Sequence, residues 1–191
     1  MAQDAIYLLR MLRFQKVHVI GISMGGTVAL QLAASHPELV EKLVLVNTFA
    51  RLRTPRKGQL IYYTYRMLIM HTLGLKTQAE AVSKHIFPKP EQGELRGILK
   101  SQVMQSDPIA YRETMLDLWR FDIRYRLKDI LAPTLIVTGE NDTTVPREVQ
   151  EDLLKIAGSR QEIIPDAGHA VTAEAPEAFN QTVLSFLKDE T

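Results

Sequence analysis

The sequence contains no cysteine, which excludes disulfides, thiolate metal ligands and a cysteine nucleophile. It also has no long hydrophobic run, since no apolar stretch approaches the ~20 residues that a membrane span needs. Neither sign of charge dominates, because 23 Lys and Arg residues are balanced by 22 Asp and Glu residues, for a formal net charge of +1. This balance argues against nucleic acid as a partner. Internal repeats, low-complexity segments and a cleavable hydrophobic signal are also missing, so we expect a cytoplasmic protein.

The chain does have enough apolar material for a sizeable core. It contains 191 residues, of which 46% are hydrophobic and 24% are charged. This size and composition are typical of a globular protein a little above the commonest domain length.

One stretch near the start carries the strongest signal. Val17–Ile20 is a β-branched apolar run that predicts a buried strand, and Thr27–Ala34 predicts a helix. Only Gly21-Ile-Ser-Met-Gly-Gly26 separates them, so the turn must be sharp and its central residue, Ser23, must sit near positive φ. Glycines two positions before and after Ser23 remove Cβ atoms that would clash. This is the Gly-x-Ser-x-Gly nucleophile elbow, which presents the serine hydroxyl beside a helix N-terminus.

The alternative interpretation of this turn is structural. A glycine-rich connection between a strand and a helix can carry a serine that only caps the helix. The strand before the motif and the helix after it favour the nucleophile.

The rest of the chain alternates between strand and helix patterns. Further buried strands are predicted at Leu43–Val46, Thr134–Thr138 and Glu162–Ile164. Amphipathic helices are predicted at about Asp4–Arg13, from Pro146 to Ala157, and at Pro176–Lys188. In the first of these, Ala5, Leu8, Leu9 and Leu12 form the inward face; in the second, it is Val149, Leu153, Leu154 and Ala157. This alternation predicts an α/β fold with a parallel sheet of about four strands flanked by helices.

The segment 49–129 has a different pattern, without clear strands. Helices are plausible at Gln59–Leu73, Gln78–His85, Glu91–Gln105 and Pro108–Trp119. We therefore predict a core of residues 1–48 and 130–191, with a helical insertion over 49–129. The insertion is either a plain helical core or a cap whose apolar side chains line an acyl pocket, among them Tyr62, Tyr63, Tyr65, Met67 and Met70. A basic run near its start forms either a solvated rim or an anion site, and comprises Arg51, Arg53, Arg56 and Lys57.

Three polar residues occupy matching positions, each in a loop directly after a predicted strand: Ser23, Asp142 and His169. Because parallel strands end at one edge of the sheet, these loops should gather there. A serine hydroxyl becomes a good nucleophile only when a base with a pKa near 7 takes its proton, and histidine is such a base. A buried carboxylate orients the histidine. Glu140 is the main rival for the carboxylate. The remaining histidines fit the base less well by position, because they lie in a strand, after the elbow helix or in the insertion.

Other chemistries are weakly supported. The Gly21–Gly26 turn lacks the Lys-Ser/Thr ending of a phosphate-binding loop, and no histidine pair has zinc-ligand spacing. A serine, histidine and aspartate triad needs no cofactor, so none is predicted.

These motifs together resemble the α/β-hydrolase superfamily, and within it the esterase, lactonase and C–C-hydrolase-like branch with a helical cap. The resemblance covers essentially the whole chain. The motifs that carry it are Gly21–Gly26, His36-Pro37-Glu38 with Leu43-Val-Leu-Val46-Asn47, Pro133 to Asp142, Val145-Pro146, and Gly168-His169 with Glu174 and Pro176. It implies that Ser23 is the nucleophile, Asp142 the acid and His169 the base. It also implies that the backbone N–H of Met24 is one oxyanion-hole donor.

The chain departs from that family in having only one helix before the elbow strand, where several strands and helices are usual. The second oxyanion donor normally comes from an early loop, so we expect an incomplete oxyanion hole. Val17–Ile20 should form a sheet edge beside uncovered apolar surface. We therefore predict a homo-oligomer that covers this edge.

The resulting functional hypothesis is a serine hydrolase that cleaves small carboxylic esters through an acyl-enzyme. A lactonase or a C–C hydrolase with the same triad is the alternative among enzymes, because the pocket decides the substrate. The alternative of another class is a weakly active or inactive truncated hydrolase that acts through oligomerisation.

Overall fold

The computed structural model describes residues 1–52, 61, 64–66, 68–69 and 72–189. The chain divides into two compact units, one formed by Met1–Arg51 with Phe121–Thr191 and the other by Leu52–Arg120. These boundaries differ from the predicted insertion, 49–129. Residues 49–51 and 121–129, which were assigned to the insertion, belong to the first unit. Much of the predicted Gln59–Leu73 helix lies outside the described residues, as do Arg53, Arg56, Lys57, Tyr62, Tyr63, Met67 and Met70.

The first unit contains a four-stranded parallel sheet in the described part of the chain, which confirms the predicted α/β class. Its strands are β1 (Val17–Ile22), β2 (Val40–Val46), β3 (Thr134–Gly139) and β4 (Ser159–Ile164), and they lie side by side in that order. Each neighbouring pair is parallel, so all four carboxyl ends point to the same edge. The strands extend one to three residues beyond the predicted apolar runs, because flanking residues join the backbone ladder whatever their side chains.

Helices pack against the two central strands of the sheet in this unit. They are α1 (Ala2–Met11), α2 (Met24–Ser35), the short α6 (Arg147–Gln150) and α7 (Val171–Glu174), and α8 (Pro176–Lys188). Short 3₁₀ segments lie at Pro37–Leu39, Arg124–Asp129 and Glu151–Lys155.

Apolar side chains of β2 and β3 alternate between two buried clusters. Leu43, Leu45 and Ile136 pack in one cluster with α1 and α2, whereas Val44 and Val137 pack in the other with α7 and α8. Strands that are buried on both faces read as unbroken apolar runs, which explains why these two were evident in the sequence.

The first strand is less buried than the sequence predicts. β1 lies at the edge of the sheet, as expected, and pairs with β2. Ile20 and Ile22 are 47% and 41% exposed, so the prediction of a buried strand was wrong. A β-branched composition indicates that a strand forms, but it does not indicate whether both faces of the strand are covered.

The inward face of α1 also differs from the prediction. Ile6 is buried, and Ala5 and Leu9 pack against the same cluster. Leu8 and Leu12, which were assigned to the inward face, are exposed. Two neighbouring stripes of this helix are apolar, so spacing alone does not decide which of them packs.

The segment after Pro146 is not one continuous α-helix. It consists of α6 followed by the 3₁₀ segment Glu151–Lys155. The tighter 3₁₀ winding changes which side chains point inward. Leu153 and Ile156 are therefore buried while Leu154 and Ala157 are exposed, contrary to the predicted helical face.

The second unit is helical where it is described. Its helices are α3 (Gly74–Ile86), α4 (Gly93–Met104) and α5 (Pro108–Arg120), with a 3₁₀ turn at Pro90–Gln92 before α4. Each matches a predicted helix to within a few residues. Whether this unit serves as a cap stays a prediction. Of the helices described, none combines the length and hydropathy that crossing a membrane would need.

Candidate active site

The turn between β1 and α2 holds Ser23 in a strained backbone conformation. Its φ is 50° and its ψ is −116°, a region that side chains rarely occupy. Two contacts fix it there: the Ser23 N–H donates to Val46 O at 2.8 Å, and Thr48 Oγ1 donates to Ser23 O at 2.6 Å. The end of β2 and the residues that follow it therefore support the turn from both sides of Ser23. Backbone strain of this kind is typical of functional turns.

Close packing explains two of the three glycines in this turn. A Cβ on Gly21 would lie 2.7 Å from Ala29 Cβ and from Gly25 O, and one on Gly26 would lie 2.4 Å from Thr48 Oγ1. A Cβ on Gly25 would meet nothing within 4 Å. The expectation that Gly25 is needed to avoid a clash is therefore wrong. Gly26 is the position where a side chain would clash, because the first turn of α2 packs against Thr48.

The structure brings Ser23, His169 and Asp142 together, although they are far apart in sequence. His169 Nε2 is 2.9 Å from Ser23 Oγ, and His169 Nδ1 is 2.9 Å from Asp142 Oδ2. The side chain of Asp142 is 1% exposed and that of His169 is 10% exposed. Ser23 is half-buried. All three residues belong to the first unit.

The carboxylate of Asp142 accepts hydrogen bonds on both of its oxygens. Its Oδ1 accepts backbone N–H bonds from Thr144 at 2.8 Å and Val145 at 2.9 Å. A carboxylate oxygen can only accept, so the hydrogen in the contact with Oδ2 is carried by His169 Nδ1. The lone pair of Nε2 then faces the hydroxyl of Ser23, which is the arrangement that general-base catalysis requires.

The rival residues lie elsewhere. Glu140 is exposed, and its Oε2 accepts a bond from the Asp166 N–H at 3.1 Å. His36 pairs with Glu38 at 3.0 Å, and His18 lies 3.9 Å from Glu41. None of these contacts joins the group around Ser23.

Met24 is the first residue of α2, directly after Ser23. The first N–H groups of a helix have no partner within the helix, and the helix dipole makes this end favourable for negative charge. The placement is compatible with an oxyanion donor, and that role of Met24 stays a prediction.

The sequence did not single out Asn47 as a site residue, yet it lies among these loops. Its Nδ2 donates to Gly168 O at 3.0 Å and to His169 O at 2.8 Å, while its Oδ1 accepts from the Gly139 N–H at 2.8 Å. The available signal was its position, since Asn47 and Thr48 directly follow a buried strand. Within the described ranges, no cluster of three His, Asp or Glu side chains is arranged to hold a metal ion.

Comparison with known proteins identifies the family. A model of the alpha/beta hydrolase family matches residues 2–182, which is nearly the whole chain. The chain belongs to the alpha/beta hydrolase family. The resemblance inferred from the sequence motifs is thereby confirmed.

Relatives of this hydrolase carry several names. It is 29% identical over 196 aligned positions to the "Putative carbamate hydrolase RutD" of Caulobacter sp. (strain K31), covering 100% of this chain and 72% of that protein. Among solved structures, it is similar to the enol-lactonase from Burkholderia xenovorans LB400, with a TM-score of 0.87, 26% identity, and coverage of 98% and 72%. The esterase from Exiguobacterium antarcticum gives a TM-score of 0.89, 25% identity, and coverage of 99% and 73%.

Proposed function

We propose that this alpha/beta hydrolase is a serine hydrolase that cleaves small carboxylic esters. The observation that carries the proposal is the continuous chain of hydrogen-bond distances from Ser23 Oγ through His169 to Asp142, 2.9 Å at each step. A structural serine would not need a strained backbone, a histidine and a buried carboxylate together.

The reaction follows from this geometry. Ser23 Oγ attacks the carbonyl carbon while its proton moves to His169 Nε2, and a tetrahedral oxyanion forms. The resulting imidazolium is stabilised by Asp142, which keeps its negative charge. The oxyanion collapses, the bond from carbon to the leaving oxygen breaks, and Nε2 gives its proton to the departing alcohol. Water then attacks the acyl-enzyme with the same proton transfers, which releases the acid and restores Ser23.

The oxyanion would be held by the N–H of Met24 at the start of α2. Acylation and deacylation pass through similar oxyanions, so this N–H would serve both steps.

The names of the relatives support a substrate with an acyl group, but they do not favour one class of substrate over another. A carbamate hydrolase, an enol-lactonase and an esterase all break a bond at a carbonyl carbon that carries an oxygen or nitrogen leaving group. A lactonase with the same three residues is therefore an alternative, and the sequence motifs leave a C–C hydrolase open as well. We further propose that the helical unit Leu52–Arg120 acts as a cap that selects the acyl group.

Hydrolysis of p-nitrophenyl acetate and butyrate tests the proposal. We expect turnover by the unmodified protein, and Ser23→Ala should reduce kcat/KM by at least about 10³-fold because it removes the nucleophile. Ser35→Ala is the matched control, because Ser35 lies at the far end of α2, where its Oγ accepts a bond from Arg126. Equal rates for the unmodified protein and Ser23→Ala would remove Ser23 as the nucleophile.

A lactone panel separates the alternatives. Faster turnover of lactones than of open-chain esters of similar size would favour the lactonase. A chain that binds esters without turnover, and whose Ser23 reacts with no acylating probe, would favour the inactive truncated hydrolase.

A further inference from the structure

Asn47 is a buried polar residue whose contacts the proposed reaction does not use. It directly follows β2, is 0% exposed, and has a φ of 45°. Asparagine tolerates this left-handed conformation better than most residues. Burial of an amide costs free energy unless its hydrogen bonds are satisfied. The hydrogen-bond partners of Asn47 therefore show what stabilises it in this position.

Those partners belong to two different segments, a loop and the end of a strand. The Nδ2 group donates both of its protons to the loop after β4, to the carbonyl oxygens of Gly168 and His169, while Oδ1 accepts from Gly139 at the end of β3. The backbone N–H of Asn47 donates to Val137 O at 3.0 Å. One side chain thus joins the ends of β2 and β3 to the backbone of His169 itself.

The loop that carries His169 packs tightly against the end of β3. A Cβ on Gly139 would lie 2.2 Å from Gly168 O, so the two backbones are in close contact. Glu174 Oε2 accepts from the Gly168 N–H at 2.8 Å, and the Asn141 N–H donates to Ala167 O at 2.8 Å. These bonds fix the loop before His169, whereas Asn47 bonds to the carbonyl of His169. A small shift of that carbonyl would move the imidazole relative to Ser23.

We propose that Asn47 is a positioning residue that holds the His169 backbone so that the imidazole reaches Ser23 and Asp142 at once. This inference rests on the proposed function, because Asn47 acts through His169 and touches no reacting atom. Displacement of a catalytic group by about 1 Å can cost about 10²-fold in rate.

Asn47→Asp separates the two sets of bonds. Aspartate has nearly the same shape, tolerates the same φ, and keeps an oxygen for the Gly139 N–H. It replaces the two N–H donors with an oxygen that faces two carbonyl oxygens. A buried carboxyl group has a raised pKa, and in its neutral form it can donate one hydrogen bond, whereas the ionised form repels both carbonyls. Asn47→Gly removes all three side-chain bonds and suits the left-handed φ.

The expected results are a fall in kcat of about 10²-fold for both variants with little change in KM. Relative to the unmodified protein, the loss in Asn47→Asp should grow as the pH rises, because ionisation removes its remaining donor. The loss in Asn47→Gly should not depend on pH in this way. Thr134→Val is the matched control, because it deletes a buried 2.8 Å bond to Ala132 O at the opposite end of β3. Its kcat should stay unchanged.

A second measurement keeps this test separate from the test of function. The proton on His169 Nδ1 should give a strongly deshielded NMR signal in the unmodified protein, kept in Thr134→Val and lost or shifted in Asn47→Gly. If the unmodified protein shows no turnover, the proposed function fails, and the NMR comparison alone decides whether Asn47 positions His169. Unchanged kcat in both Asn47 variants, or an unchanged signal, would overturn the inference.

Discussion

At the carboxyl ends of the strands, polar groups are paired at hydrogen-bond distance, whereas the segment from α1 to β1 exposes apolar side chains. In the first region, Asp142, His169 and Asn47 each make the bonds described above and are mostly buried. In the second region, the exposed side chains include Tyr7, Leu8, Met11, Leu12, Phe14, Ile20 and Ile22.

The difference teaches that the two regions differ in how far the chain itself satisfies them. The residues around Ser23 are held by other residues of the same unit. Exposed apolar side chains commonly mark an interface when they form a contiguous patch. The homo-oligomer that was predicted to cover the sheet edge stays a prediction, as does the cytoplasmic location.

The largest effect should come from the buried carboxylate. Asp142→Asn keeps an oxygen for the Thr144 and Val145 N–H groups but turns a donor toward His169 Nδ1. The imidazole would then carry its proton on Nε2, where it cannot accept the proton of Ser23. We expect kcat to fall by about 10⁴-fold with the fold retained, measured by ester hydrolysis and circular dichroism.

Glu140→Gln is the control for this change, because Glu140 was the rival acid and contacts Asp166 instead. Its activity should match that of the unmodified protein. A larger loss in Glu140→Gln than in Asp142→Asn would show that the acid has been misassigned.

The next effect concerns the glycines of the elbow. Gly26→Ala places a Cβ 2.4 Å from Thr48 Oγ1, so either α2 or Thr48 must move. Overpacking of this kind costs about 1–3 kcal/mol of unfolding free energy, measured by chemical denaturation. Thr48 also supports Ser23, so kcat should fall as well.

Gly25→Ala is the matched variant one position away. Its Cβ would meet nothing within 4 Å, and alanine is preferred to glycine in helices. Its unfolding free energy should stay within about 1 kcal/mol of the starting value. Equal destabilisation by the two substitutions would contradict the packing described around Thr48.

The smallest effect on stability should come from the edge of the sheet. Ile20→Lys adds a charge to an exposed side chain, so unfolding free energy should change by no more than about 0.5 kcal/mol. If a second copy covers β1, light scattering should show an oligomer that Ile20→Lys dissociates.

Ile109→Lys, on an exposed position of α5, should leave the oligomer intact. A monomer at micromolar concentration before any substitution would contradict the predicted assembly.

The sequence was informative where local patterns decide the structure. Apolar runs located β2 and β3, and the Gly-x-Ser-x-Gly spacing located the strained turn at Ser23. The order of strands and loops also indicated that Asp142 and His169 would come near it. These features depend on short-range sterics and on the shared direction of parallel strands.

The sequence was less informative where packing between distant segments decides. Which apolar stripe of α1 is buried depends on its neighbours, and so does the requirement for glycine at 26 rather than 25. Asn47 was missed for the same reason, since its partners Gly139 and His169 are about a hundred residues away in sequence. Only the folded chain shows that one amide joins them.

The central claim is that Ser23 is a nucleophile activated by His169, and covalent labelling tests it most directly. The protein is treated with a fluorophosphonate, and the modified residue is located by mass spectrometry in the unmodified protein, Ser23→Ala and His169→Ala. The account predicts one adduct on Ser23, none in Ser23→Ala, and much slower labelling in His169→Ala. Labelling at another residue, or an equal labelling rate in His169→Ala, would contradict it.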